Sequence, residues 1–293
     1  MLADPTQALR CALGLLGWAI ALQCLEDWQL ARSVLARRVA TWPVLGSDLA
    51  RSSPRGYALL GLIFAPHRAR LWLGLRLGCA VLLMAQVAMH AVRIADCFLV
   101  VPLWMLHLLS QVRWRGALNG GSDLMTLSML NSFLLGYLLS LLMAEGGGWA
   151  PGSGSHGLDP SFLPERAALW LICIHLLTSY FVSGTVKLLQ PAWRQGTALR
   201  HFLDTAVHGP LHPGSWLRVR WISALLAWSF MVWEALMPLS LLHPWLAVAA
   251  CLLAALFHLL VFVYFGLNRF LWIWIAGFPA LLFAAAEVDA LLR

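Results

Sequence analysis

Apolar residues run along this chain in long blocks, broken by short stretches rich in Arg, Pro and Gly. The blocks lie at roughly 8–25, 70–90, 94–111, 123–144, 166–189, 219–242, 245–265 and 269–287. Several exceed the ~20 residues an α-helix needs to cross a hydrocarbon core of about 30 Å. Inside lipid, every backbone amide must be paired within its own segment or within a closed barrel. Barrel strands are about ten residues long and alternate in polarity. These blocks do neither, so the pattern predicts an all-α, multi-pass membrane helical bundle. The second and third blocks are nearly continuous across Arg93 and Asp96, which gives seven or eight spans. Residues 1–293 read as a single transmembrane domain, with interfacial segments at about 26–69 and 190–218. The first block lacks a basic leader and a cleavage site and reads as a span rather than a signal peptide.

Composition strengthens this picture. The chain is 61% hydrophobic and 11% charged, against about 45–50% and 25% in soluble domains. A net charge of +7 would raise the question of nucleic acid in a soluble protein. Here the arginines fall on alternate loops, as the positive-inside rule requires, and no nucleic-acid partner is implied. Arg32, Arg37, Arg38, Arg51, Arg55 and Arg68 mark segment 26–69 as cytoplasmic. Arg113 with Arg115, the arginines of 194–220, and Arg269 follow on the same side. The Gly- and Pro-rich loop 145–165, with Glu145, Asp159 and Glu165, lies opposite, and both termini face outward. Trp28, Trp42, Trp114, Trp149, Trp193, Trp216 and Trp245 sit near block ends, where indole rings anchor at the headgroups. Trp228, Trp233, Trp272 and Trp274 sit within blocks and read as packing. The six dispersed cysteines read as buried thiols rather than a disulfide framework.

Candidate chemistry centres on lysine. Of the 20 basic residues, Lys187 is the only one that is not arginine. Arginine is never deprotonated, whereas a desolvated lysine can give a neutral amine, which a base or nucleophile needs. The same position also suits a lysine snorkelling from the end of its span. Tyr180, Ser183 and Lys187 are spaced i, i+3, i+7 along one helix face, and Gly184 admits a ligand or a neighbouring helix. Glu234 lies well inside a span, where a carboxylate needs a partner, a proton or a polar cavity. Arg76, His90, His107, Asn131, His175 and His258 add polar groups to the interior. His201, Asp204 and His208 repeat the i, i+3, i+7 spacing, which suits either the polar face of an interfacial helix or an acid–base or metal cluster. The former is preferred and no metal site is assigned. No phosphate-binding loop, nucleophile elbow or HExxH sequence is present.

The string YFVSGTVKLLQPAWRQGTAL, Tyr180 to Leu199, resembles the signature of the vitamin K-dependent gamma-carboxylase-like family, whose bacterial members carry the horizontally transferred transmembrane (HTTM) domain. The matching positions are Tyr180-Phe181, Gly184, Lys187, Trp193, Gly196 and Ala198. Glu234 before Pro238, His258 with Gly266 and Phe270, and Asn119 to Asp123 are similar to flanking family segments. The resemblance implies that Lys187 is a base acting on reduced vitamin K, a menaquinol-type quinol, with O2 and CO2 as co-substrates. It implies catalytic roles for Lys187, Tyr180, Glu234 and His258, and cofactor binding by Ser183, Gly184 and Trp193. The chain departs from the animal enzymes in three ways: Val186 replaces a paired lysine, the Lys187–Trp193 interval is one residue longer, and the large extramembrane domain is lacking. The match is to the bacterial form, which implies the bacterial inner membrane, the lipid bilayer as partner and a peptide or protein substrate. Two other functions suit the same sequence: a non-enzymatic component for maturation or export of a secreted peptide, and a small proton-coupled transporter using Glu234 and the histidines.

Overall fold

A computed structural model describes residues 2–32, 41–89, 92–115, 120–145 and 162–293. His90, Asn119, Trp149, Asp159, Arg37 and Arg38, used in the sequence reading, lie outside them. Among the described residues the chain is 87% helical with no strand, so the all-α reading holds. Among the described residues, seven helices are long and apolar enough to cross a bilayer, and the chain is an integral membrane protein.

The helices divide between two compact units, Pro5–Ala168 and Leu169–Arg293, the latter together with the extreme N-terminal residues. In the first unit, the described residues form α1 (Pro5–Arg32) and, from Trp42 on, three short helices, α2 (Trp42–Leu45), α3 (Ser47–Ser52) and α4 (Pro54–Ile63). Then come α5 (Pro66–Met89), α6 (Val100–Trp114) and α7 (Gly120–Glu145). The short helices occupy the segment expected to be interfacial. On α1, Leu9, Leu13, Leu16 and Ile20 are fully buried, a stripe at helical spacing, and α1 packs along α5.

The expected span 94–111 forms differently. A single 3-10 turn, Ile94–Asp96, precedes α6, whose 15 residues reach only about 22 Å at 1.5 Å per residue. Seven long helices plus a short α6 therefore replace the seven-or-eight alternative. The break has a polar cause. Asp96 accepts from the Arg93 amide at 3.1 Å. The Arg93 guanidinium donates to Glu165 at 2.6 Å, and Glu165 also accepts from the Ile94 amide at 3.3 Å. Glu165, read as a loop acid, is 1% exposed and sits in the first turn of the helix Leu163–Leu189.

Arg76 on α5 is 1% exposed. Its guanidinium donates to Gln23 at 2.7 Å and Ser110 at 3.3 Å and lies 2.9 Å from His107 Nδ1. A buried cation in a span requires such partners, and this network ties α1, α5 and α6 together. Asn131 accepts from Trp104 at 2.7 Å. These intramembrane polar residues are interhelical contacts of the first unit. All six cysteines are free, four of them buried, while Cys11 is exposed, contrary to the reading of buried thiols throughout.

The second unit holds most of α8 (Leu163–Leu189), then α9 (Pro191–Arg194), α10 (Thr197–Asp204), a 3-10 turn at Trp216–Arg218, and α11 (Arg220–Leu236), which continues as a 3-10 segment to Leu242. Two long helices, α12 (Pro244–Phe265) and α13 (Asn268–Leu292), form a hairpin closed at Gly266, whose φ of +68° caps α12 in the left-handed region. Only glycine enters that region at no steric cost.

Candidate functional site: an intramembrane lysine–glutamate pair

The face of α8 predicted from spacing is the face the second unit uses. Tyr180 and Lys187 lie seven residues apart, about 10 Å along the axis. Lys187 Nζ donates to both oxygens of Glu234 on α11, at 2.7 and 2.6 Å. Glu234 is 2% exposed and Lys187 20%, so the carboxylate is the buried member and the amine keeps a partial opening. Ser183 lies one turn before Lys187 on the same helix. Toward the interior, the Tyr180 hydroxyl and His258 Nε2 on α12 form a second pair at 2.5 Å, wholly buried.

The local sequence explains how these groups meet. Gly184 is where α8 crosses α11. A Cβ there would collide with the Ala235 amide and lie 2.8 Å from both Glu234 Cβ and the Met231 carbonyl. Of the two alternatives, ligand or helix, the neighbouring helix takes this space. Pro191 cannot continue α8, because a proline lacks the donor and clashes with the preceding turn. It instead starts α9 at N1, and the chain turns back so that the Trp193 ring lies 5.4 Å from Lys187 Nζ. Phe257 flanks the same amine at 5.9 Å. Gly196, at φ +69°, runs its Cα against the Ser223–Ala224 backbone of α11. The motif glycines Gly184 and Gly196 therefore hold α8–α10 onto the helix that carries Glu234.

Replacing Gly184 with alanine tests this crossing. Ala favours an exposed helix over Gly by about 1 kcal/mol, but overpacking a close contact costs about 1–3 kcal/mol. Gly184→Ala is expected to lower the thermal midpoint in detergent. An unchanged or raised midpoint would show that the two helices are free to separate.

The aromatic surround was only partly legible. Trp233 and Trp274, read as packing residues, lie 5.3 and 5.0 Å from the Tyr180 ring, and Trp274 stacks on His258 at 5.3 Å. Neither indole N–H, nor His258 Nδ1, has a hydrogen-bond partner among the described residues. Nothing in the sequence marks Phe257, since an apolar residue in an apolar helix carries no sign of the amine it covers.

Other sequence candidates fall elsewhere. The His201–Asp204–His208 spacing does not persist as a helical face, because α10 ends at Asp204. Asp204 accepts from Arg218 at 2.8 Å and from the Leu211 amide at 3.0 Å, while His208 Nε2 lies 3.0 Å from the Val263 carbonyl. No group of three His, Cys, Asp or Glu side chains able to hold a metal ion occurs among the described residues. His175 is half-buried on α8.

No family model, curated protein or solved structure matches the chain. The site is therefore read from its own chemistry.

Proposed function

We propose that this protein is a bacterial inner-membrane enzyme of the gamma-carboxylase-like, HTTM-domain type, in which Lys187 is the base toward a menaquinol-type quinol. One observation carries the reading: the chain's only lysine is held 2.6–2.7 Å from both oxygens of a buried glutamate within a span. Pairing in a low-dielectric interior lets a proton move from ammonium to carboxylate at small cost, because the neutral pair avoids desolvating two charges. When the quinol binds, Glu234 is placed to take the Lys187 proton and leave a neutral amine, which arginine could never supply.

The surrounding residues fit a flat ring bearing oxygens. Trp193 and Phe257 flank the amine and would hold the ring faces. The indole N–H groups of Trp233 and Trp274 and the free Nδ1 of His258 are buried polar atoms without partners among the described residues, suited to ring oxygens. When bound, a reduced quinone supplies acidic hydroxyl protons and the electrons that reduce O2, with CO2 as the further co-substrate. Lys187 Nζ would accept a hydroxyl proton, Ser183 on the same helix would offer the ring a hydroxyl, and the Tyr180–His258 pair would form the inner wall. The aromatic side chains exclude water, which keeps the amine from being reprotonated by solvent. The acceptor of the resulting chemistry is a peptide or protein substrate.

The test is O2-dependent consumption of reduced menaquinone by the purified protein in nanodiscs, with and without CO2. Turnover above that of empty nanodiscs is expected, and its absence would remove the enzyme reading. The buried Glu234 beside the Tyr180–His258 pair also suits a proton path through a small transporter. Proton-coupled uptake in liposomes that survives loss of Lys187 but not of Glu234 would favour that function instead.

A further inference from the structure

A second polar site lies in the first unit, apart from everything assigned above. A cavity of about 710 Å³ is lined by Asp27 of α1, Trp42 of α2, Phe64 after α4, Trp72 of α5, and Arg113 and Trp114 of α6. That volume falls within the ~300–1,000 Å³ of small-molecule sites. Trp42 and Trp114, expected as headgroup anchors, are 6% and 5% exposed; they face inward as cavity wall. Trp42 is fixed by its N–H to the Tyr57 carbonyl at 3.1 Å and by stacking on Tyr57. Phe64 packs against it at 4.7 Å.

Two indole donors of the lining lack an acceptor among the described residues, and one carboxylate, Asp27, also faces the cavity. Trp72 Nε1 and Trp114 Nε1 are buried and have no acceptor among the described residues. Each such donor in an apolar wall costs about 1–3 kcal/mol unless something accepts from it. The Arg113 guanidinium lies over the Phe64 and Trp114 rings at 5.9 and 5.2 Å, with one long bond, 3.4 Å, to the Phe64 carbonyl. The exposed Arg70 also lines the cavity. Among the described lining residues, two arginines stand against one carboxylate. The occupant that meets these terms is a monoanion with several acceptor oxygens and an apolar body. Depth points the same way: Asp27 and Arg113 lie near the C-terminal ends of α1 and α6, and Trp72 lies near the start of α5. These are helix ends, the level of lipid headgroups rather than of the bilayer midplane.

We propose that this cavity binds the phosphodiester headgroup of an anionic glycerophospholipid, its oxygens accepting from Trp72, Trp114 and Arg113 and its glycerol end lying against Trp42 and Phe64. Asp27 disfavours a second negative charge, so a phosphodiester is preferred over a phosphomonoester.

The test is a titration of the delipidated protein in non-ionic detergent, read by native mass spectrometry. The probes are dioleoylphosphatidylglycerol, dioleoylphosphatidate, dioleoylglycerol and soluble glycerophosphoglycerol. Saturable binding in the order phosphatidylglycerol, phosphatidate, dioleoylglycerol is expected. Trp72→Phe and Trp114→Phe keep the rings and remove only the N–H; each should weaken phosphatidylglycerol binding at least about tenfold, since a hydrogen bond to a charged acceptor is being lost. Arg51→Gln, at an exposed arginine outside the cavity, should leave it unchanged. The two tryptophan variants are measured separately, so that one failing to fold leaves the other to decide. Equal affinity for dioleoylglycerol, or unchanged affinity in a folded tryptophan variant, would overturn the site. Glycerophosphoglycerol binding as tightly as the lipid would overturn the lipid assignment in favour of a soluble phosphodiester.

Discussion

Lys187→Arg is expected to reduce quinol-dependent turnover by at least about 10²-fold, the lower end of what a positioned base contributes, while leaving the protein folded. The two halves of this result come from different properties of one side chain. Arginine keeps a cation opposite Glu234, so the ion pair at 2.6–2.7 Å has a substitute with the same charge and similar reach. Its guanidinium does not release a proton in proteins, so the carboxylate cannot generate a neutral base beside it. A structural role for Lys187 would tolerate the exchange; a basic one would not. Turnover in the variant, measured in the same nanodiscs with its thermal midpoint as the folding control, separates the two. Wild-type rates in Lys187→Arg would remove the base assignment and leave the pair as a helix clamp.

The second large effect concerns stability. Removing one member of a buried pair leaves the other charged and unpaired, at about 3–5 kcal/mol, whereas replacing both by apolar groups of similar size is often neutral or favourable. Lys187→Met should therefore be strongly destabilising, because the stranded Glu234 is 2% exposed. Glu234→Leu should cost less, because Lys187 is 20% exposed and its long stem can carry the ammonium toward the opening. The double variant Lys187→Met/Glu234→Leu should regain most of the loss. Reversible unfolding in mixed micelles gives the four corners of this cycle, and additive single effects would contradict a direct pair. The double variant should also lack turnover, which separates the chemical role of the pair from its cost to the fold.

The helices were legible because lipid imposes one rule on all of them, and blocks such as 245–265 have the length and uniform polarity that rule demands. The span at 94–111 was not, since its form depends on Glu165, distant in sequence, drawing Arg93 and the Ile94 amide out of a helix. The Lys187 face of α8 followed from spacing alone, and Glu234 from the expense of a lone carboxylate in a span. That these two residues pair could not be read, because nothing in either segment states which helix is its neighbour. Gly184 carried part of that information, but a glycine in a span admits a ligand as readily as a backbone. The inward turn of Trp42 and Trp114 was hidden for a related reason. A tryptophan at a helix end reads as a membrane anchor, whereas Trp42 and Trp114 are buried and line one cavity with Gly61 and Phe64.

A chain with one lysine allows its protonation to be observed directly. Protein labelled with 15Nζ-lysine gives a single side-chain signal, and solid-state NMR in lipid bilayers distinguishes ammonium from neutral amine at that nitrogen. If Lys187 is a base served by Glu234, addition of a non-oxidisable menaquinol analogue will shift the signal, with Glu234→Gln abolishing the neutral-amine population. An ammonium signal that stays unchanged with and without the analogue, in both wild type and Glu234→Gln, would contradict the account and leave Lys187–Glu234 a structural ion pair.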